Sequence, residues 1–129
     1  MCRVFIGADP KLWESTTRSI RMDGMVTSVR LETIFWNTLE EIAERQDLNV
    51  PQLLHQFYNE SIDEGHDLGN FTSFLRVCCM RFIDLQLNGL LATETSTDFE
   101  ALPAEDLLRQ ERAHREGAAN RRAVHSKQH

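Results

Sequence analysis

The stretch that decides the fold of this chain is Arg18-Ser-Ile-Arg-Met-Asp-Gly-Met-Val-Thr-Ser-Val-Arg-Leu-Glu32. It contains two runs typical of β-strands, residues 18–22 and 25–31, on either side of Asp23-Gly24. Asp-Gly between two such runs is the favoured sequence of a two-residue hairpin turn, because both turn residues must tolerate a positive φ. The stretch therefore predicts a β-hairpin.

The two faces of the second strand differ in chemistry, because successive side chains of a strand point to opposite faces. Val29 and Leu31 share one face, which is apolar and suited to a core. Val26, Ser28 and Arg30 share the other face, which carries a cation and a hydroxyl. We therefore expect the first face to be buried and the second to be exposed.

Three helical patterns follow the hairpin. In the first, which starts directly after Glu32, apolar residues recur at helical spacing. In the second, Asn49 suits the N-cap position and Pro51 suits the first turn. The third, at about 71–87, is apolar nearly all round, which predicts a helix buried on several sides.

A single copy of this chain leaves part of the predicted fold uncovered. A two-stranded hairpin is marginally stable in water, and its outer strand exposes unpaired backbone groups. A symmetric dimer solves this problem, because strands pair across the two-fold axis and helices interlock. We therefore predict a mainly α fold with a short β-ribbon, of the α+β class, built as an intertwined homodimer. The residues expected in the dimer core are Val29, Leu31, Phe35, Trp36, Leu39, Ile42, Leu53, Leu54 and Phe57.

The two ends of the chain are less regular than its middle. Residues 2–6 resemble a short strand, and Gly7 to Pro10 break it. Residues 103–116 suit an exposed helix, and the polar residues 117–129 suggest disorder. The predicted division is an N-terminal strand and loop at 1–16, a domain with three helices at 17–90, and a C-terminal tail at 91–129.

Charge is segregated along the chain, whose formal net charge is −6. Residues 1–31 hold five basic and three acidic side chains, whereas residues 32–100 hold three basic and 13 acidic ones. Residues 101–129 hold six basic and four acidic side chains. The predicted hairpin thus lies in a basic segment of an acidic protein, although acidic residues often only solvate the outer faces of helices.

Neither a catalytic motif nor a metal motif stands out. Cys2, Cys78 and Cys79 form no disulfide framework, and the five histidines show no zinc-ligand spacing. No nucleophile motif and no glycine-rich phosphate loop is present, so we expect no enzyme, no cofactor and no metal site. The absence of a leader peptide and of a long apolar run predicts a cytoplasmic protein that does not enter a membrane.

Taken together, these residues resemble a known family. Thr27-Ser-Val-Arg-Leu-Glu32, then Phe35-Trp36, Leu39, Ile42-Ala43 and Leu48-Asn-Val50, is similar to the ribbon-helix-helix domain of the Arc and methionine repressor class. An Arg-Ser-Ile strand before this motif and the Gly69–Val77 segment after it resemble a bacterial subfamily with an added strand and a third helix. The resemblance covers about residues 17–85.

The resemblance implies a DNA-binding homodimer that acts as a transcriptional regulator. In this class an antiparallel ribbon, with one strand from each subunit, enters the major groove. The positions that would contact bases are Val26, Ser28 and Arg30, and Arg30 is the strongest candidate because its guanidinium can pair with guanine. The positions that would contact phosphates are Asn49 and Val50 at the start of the second core helix, with Arg18 and Arg21 from the added strand.

Two alternatives remain open at this point. The added strand either supplies phosphate contacts through its arginines or covers the ribbon and blocks it. The chain as a whole is either a DNA-binding regulator or a protein-interaction module, for example an antitoxin-like dimer whose acidic helices and C-terminal tail bind a partner protein.

Overall fold

The computed structural model describes residues 2–65, 69–93 and 104–128. Its described part is mostly helical, with one two-stranded antiparallel sheet ahead of the long helices, which confirms the predicted class. The elements are α1 Cys2–Ile6, a 3-10 helix Pro10–Trp13, β1 Ser15–Met22, β2 Met25–Glu32, α2 Thr33–Arg45, α3 Val50–Asp63, α4 Phe71–Leu87 and α5 Ala104–Gln128. The chain forms two compact units, Met1–Arg81 and Phe82–His129.

The hairpin forms as the turn sequence predicts. Asp23 has a φ of 52° and Gly24 a φ of 79°, so both turn residues are left-handed, as a type I′ turn requires. The strands pair in register from Ser15 opposite Glu32 to Met22 opposite Met25. Strand β1 starts three residues before the β-like run that the sequence suggests, because β2 offers it a continuous partner.

The inner face of the hairpin packs into the core of the first unit. Val29 is 2% exposed and Leu31 is fully buried. Complete burial of an aliphatic side chain of this size contributes about 1.5–3 kcal/mol. The other fully or nearly buried apolar residues of this unit are Ile20, Met22, Trp36, Leu39, Ile42, Ala43, Val50, Leu53, Leu54, Leu75 and Cys79, whereas Phe35 and Phe57 are half-buried.

The corner between α2 and α3 is set by local sequence. Asp47 has a φ of 55°, which ends α2. The Asn49 side chain then accepts a hydrogen bond from the backbone N–H of Gln52 at 2.9 Å, and the Gln52 side chain accepts one from the backbone N–H of Asn49 at 2.9 Å. This reciprocal capping box, with Pro51 in the first turn, confirms Asn49 as the N-cap of α3.

Helix α4 is less enclosed than its composition predicts. Leu75 and Cys79 are buried, and the Cys79 thiol donates a hydrogen bond to the carbonyl oxygen of Phe35 at 3.6 Å. Val77 and Met80 on the same helix are 56% and 58% exposed. The expectation of burial on several sides is therefore wrong for this single chain.

Both ends of the chain differ from the sequence-based expectation. Residues 2–6 form helix α1 and not a strand, and a helix satisfies its backbone groups locally without a neighbouring strand. Helix α5 continues to Gln128, so the disorder expected at 117–129 is wrong for the described residues. Ala and Arg favour the helix here even though few side chains are apolar. The part of the predicted tail at 94–103 lies outside the described residues.

Candidate nucleic-acid interface

The outer face of the hairpin presents polar and basic side chains to solvent. Val26 is 63% exposed, and Ser28 and Arg30 are exposed beside it on β2. Across the sheet β1 contributes Thr17 opposite Arg30, Ser19 opposite Ser28, and Arg21 opposite Val26. The three positions that the resemblance assigns to base contacts therefore lie together on one accessible face.

Strand β1 lies beside β2 in the same sheet. It does not cover the outer face, so the alternative that the added strand blocks the ribbon is wrong within the described chain. Strand β1 instead widens the outer face by one strand, about 4.8 Å. This strand adds hydroxyl groups and the Arg21 guanidinium to that face.

The far edge of β2 has no partner strand among the described residues. A two-residue turn makes the closing pair, Met22 and Met25, exchange backbone hydrogen bonds with each other. Because this pattern alternates along an antiparallel pair, the N–H and C=O groups of Val26, Ser28 and Arg30 point away from β1. Three residues of β2 are therefore available to pair with another strand. Their side chains point to the outer face, and their backbone groups point to the open edge.

A shallow cavity of about 350 Å³ lies at the start of α3. Within the first turn, the N–H groups of Asn49 and Gln52 are committed to the capping box, and Pro51 has none. The N–H of Val50 is therefore the donor left for an anion at this helix terminus. The lining residues are Arg18, Glu40, Ala43, Leu48, Asn49, Val50 and Pro51.

Arg18 and Arg21 lie on opposite faces of the hairpin, because they are three residues apart on one strand. Arg18 lies opposite Val29 and joins the cavity at α3, where its Nη2 is 3.1 Å from Glu40 Oε1. Its guanidinium carbon is 4.5 Å from the centre of the Trp36 ring. The structure thus brings Arg18 together with Asn49 and Val50, and Arg21 together with Val26.

Sequence reasoning missed an ion pair at the end of the ribbon. Arg76 of α4 donates to both carboxylate oxygens of Glu32, from Nε at 3.1 Å and from Nη2 at 3.0 Å. This hydrogen-bonded guanidinium holds the pKa of Glu32 below its ordinary value of 4.5. No local signal connects residues 44 positions apart, and only the packing of α4 brings them together.

The cysteines of α4 do not resemble a reactive pair. Burial raises the pKa of the Cys78 thiol to about 11 and that of the Cys79 thiol to about 12. Both are therefore neutral thiols near pH 7. Within residues 2–65, 69–93 and 104–128, no group of three or more His, Cys, Asp or Glu side chains is placed to hold a metal ion. None of the described helices is long and apolar enough to cross a membrane.

Comparison with known proteins agrees with this geometry. The family model for the ribbon-helix-helix domain matches residues 15–83, more than half of the chain. Among solved structures, the chain is similar to an uncharacterized protein from Bordetella pertussis Tohama I, with 42% sequence identity and a TM-score of 0.81 over 84% of this chain and 87% of that one. No curated protein matches. The chain therefore belongs to the ribbon-helix-helix family, a class of DNA-binding regulators.

Proposed function

We propose that this chain is a sequence-specific DNA-binding homodimer that regulates transcription. The observation that carries the proposal is the outer face of β2, where Val26, Ser28 and Arg30 are exposed in a row beside an open strand edge. An exposed arginine and an exposed serine on neighbouring outward positions are side chains that can hydrogen-bond base edges.

In the proposed dimer the open edge of β2 pairs antiparallel with the β2 of a second copy. This pairing gives a four-stranded sheet with the two β2 strands at its centre and the two β1 strands at its rims. It satisfies the backbone groups of Val26, Ser28 and Arg30, which have no partner strand among the described residues. It also presents these side chains twice, related by a two-fold axis, so the preferred DNA site is an inverted repeat.

The central strands enter the major groove in this proposal. Arg30 pairs with the O6 and N7 acceptors of guanine, because its fork fits two acceptors on one base edge. Ser28 donates to or accepts from several bases, and Val26 contacts a thymine methyl group. Arg21 lies on the flanking strand β1, opposite Val26, and would contact the DNA sugar-phosphate backbone beside the groove.

In this proposal the start of α3 holds a DNA phosphate, and two features of the site favour its binding. The Val50 N–H and the helix dipole supply the favourable field. Arg18 neutralises Glu40 at the rim of the cavity, and without this ion pair the Glu40 carboxylate would repel the phosphate. The anchor is weaker than a helix terminus with all its donors available, because the capping box occupies two of them.

The proposal is tested by retention of genomic DNA. Purified protein is mixed with sheared DNA from its own source at moderate salt, and the retained fragments are sequenced. We expect a few fragments that share a short inverted repeat, and an affinity for that repeat that falls steeply with salt as counterions are released. If folded and dimeric protein retains no DNA, the proposal is wrong.

A second candidate function is supported by α5. This helix spans 25 residues and is exposed along most of its length, with Leu108 and Val124 at 38% and 56% exposure. An exposed helix of this kind offers a surface to a partner protein, as an antitoxin-like dimer requires. The comparison that tests it is the set of proteins retained by the full chain and by a chain that ends before Ala104. Identical sets would exclude α5 as the binding segment.

A further inference from the structure

Glu32 is an acidic residue at the end of an otherwise basic and hydroxyl-bearing face. Alternation along β2 places it on the same face as Ser28 and Arg30. It lies two residues beyond Arg30, which is about 7 Å along an extended strand. Two long side chains at this separation are able to meet, so the Glu32 carboxylate is an intramolecular competitor for the Arg30 guanidinium.

The structure removes this competitor from the outer face. The Arg76 guanidinium binds both oxygens of the Glu32 carboxylate, at 3.0 Å and 3.1 Å, in the bidentate geometry that is strongest for this pair. The guanidinium carbon of Arg76 also lies 6.0 Å from the centre of the Phe35 ring, a second contact of the same group. Glu32 occupies the N-cap position of α2 but makes no side-chain capping bond, so its carboxylate is directed to Arg76.

We propose that Arg76 is a positioning residue for DNA recognition: by holding Glu32, it keeps the Arg30 guanidinium available for a base. This inference rests on the DNA-binding function proposed above. It assigns to α4 a role in that function, although α4 lies outside the ribbon and the two helices that complete the core motif. Arg76 itself touches no DNA in this account and acts through Glu32 and Arg30.

The electrostatic interactions of Glu32 are consistent with competition between Arg76 and Arg30 for its carboxylate. Arg76 and Arg30 both lower the pKa of Glu32, and the hydrogen bonds from Arg76 have the largest effect. Glu32 therefore interacts with both arginines and is ionised near pH 7. If Arg76 were absent, Arg30 would be the cation left beside Glu32 on the outer face. The Arg30 side chain would then be drawn into an ion pair with Glu32 on its own strand.

The test is a set of full-length variants measured on the inverted repeat that the wild-type protein selects. In R76A, we expect affinity to fall by at least about fivefold, approaching the loss caused by R30A. In R76A/E32Q, we expect affinity to recover most of this loss, because the competing charge is gone. In R30A/R76A, we expect no loss beyond that of R30A, since Arg76 acts through Arg30.

Three outcomes would overturn the inference. R76A could bind as tightly as the wild type, R76A/E32Q could bind no better than R76A, or R30A/R76A could lose the full sum of the two single losses. The last result would show that Arg76 merely supports the fold or attracts phosphates. Thermal unfolding by circular dichroism confirms that each variant is folded. If R76A is not folded, R76Q keeps part of the aliphatic side chain, removes the charge and replaces R76A in the same scheme. A wild-type protein that retains no DNA would instead contradict the proposed function.

Discussion

Two valines on one strand show how differently the two faces of the hairpin are used. Val29 is 2% exposed and Val26, three residues earlier, is 63% exposed. Both have the same side chain and lie on the same strand. They point to opposite faces because they are an odd number of residues apart. The inner face stabilises the subunit through burial, whereas the outer face contributes little to stability and is available for recognition. Substitutions on the two faces should therefore affect different measurements.

The largest effect expected is on stability, from Leu31→Ala on the inner face. Leu31 is fully buried, so the substitution removes packed apolar atoms and leaves a cavity. We expect the free energy of unfolding to fall by about 2–5 kcal/mol, measured by urea denaturation. Val26→Ala is the matched control on the outer face and should change it by less than about 0.5 kcal/mol. Similar losses of unfolding free energy in both variants would contradict the view that only the inner face stabilises the fold.

Next in size is the effect of Arg30→Ala on DNA binding. This variant should lose about 1–3 kcal/mol of binding free energy at each half-site and should relax the base preference there, as measured by titration of matched and mismatched duplexes. Its unfolding free energy should stay within about 0.5 kcal/mol of the wild-type value, because the side chain is exposed. Unchanged affinity and preference would show that Arg30 does not read a base.

A smaller effect is expected from two glycine substitutions of opposite sign. Gly24 has a φ of 79°, and a Cβ there would meet open space, so Gly24→Ala introduces backbone strain alone. We expect a loss of about 1 kcal/mol in unfolding free energy. Gly117 lies inside α5, where a Cβ would come 3.4 Å from the tip of the Arg121 side chain. Gly117→Ala should stabilise α5 by about 0.5–1 kcal/mol, visible as increased helical circular dichroism on heating.

The smallest effect concerns pH and the Glu32–Arg76 pair. The folded-state pKa of Glu32 is lowered, so its contribution to stability is present above the unfolded-state pKa and is lost as pH falls through the folded-state pKa. We therefore expect part of the loss of stability below about pH 4.5 to be absent in E32Q. Urea denaturation at neutral pH and at about pH 3.5 measures the difference, and equal acid sensitivity in both proteins would argue against it.

Features fixed by neighbouring residues could be predicted from the sequence. The Asp23-Gly24 turn, the alternation of Val29 and Arg30, and the N-cap at Asn49 each depend on a few adjacent positions. For this reason the hairpin, its two faces and the corner before α3 were predicted correctly. The three candidate base-contact residues also follow from alternation, and their role in DNA binding remains a prediction.

Features that depend on distant partners could not be predicted in the same way. The Glu32–Arg76 ion pair and the position of Arg18 over Trp36 require the packed helices. Residues 2–6 favour a strand locally, but a strand depends on pairing with a distant segment, and these residues form α1 instead. At the other end, few apolar residues suggested disorder, whereas helix formation by residues 117–128 needs only local hydrogen bonds.

The type I′ turn has a consequence for the order of assembly. A strand that pairs only with a second subunit waits for a bimolecular encounter, whereas β1 and β2 are joined by two residues and can pair within one chain. Hairpins with such short connections form in about 1–10 μs. The first phase of refolding should then be independent of protein concentration, and, if the chain forms the proposed homodimer, only a later phase should accelerate as the protein concentration rises. In the homodimer proposed above, the hairpin of each chain would thus form before its β2 strand pairs with that of a second copy.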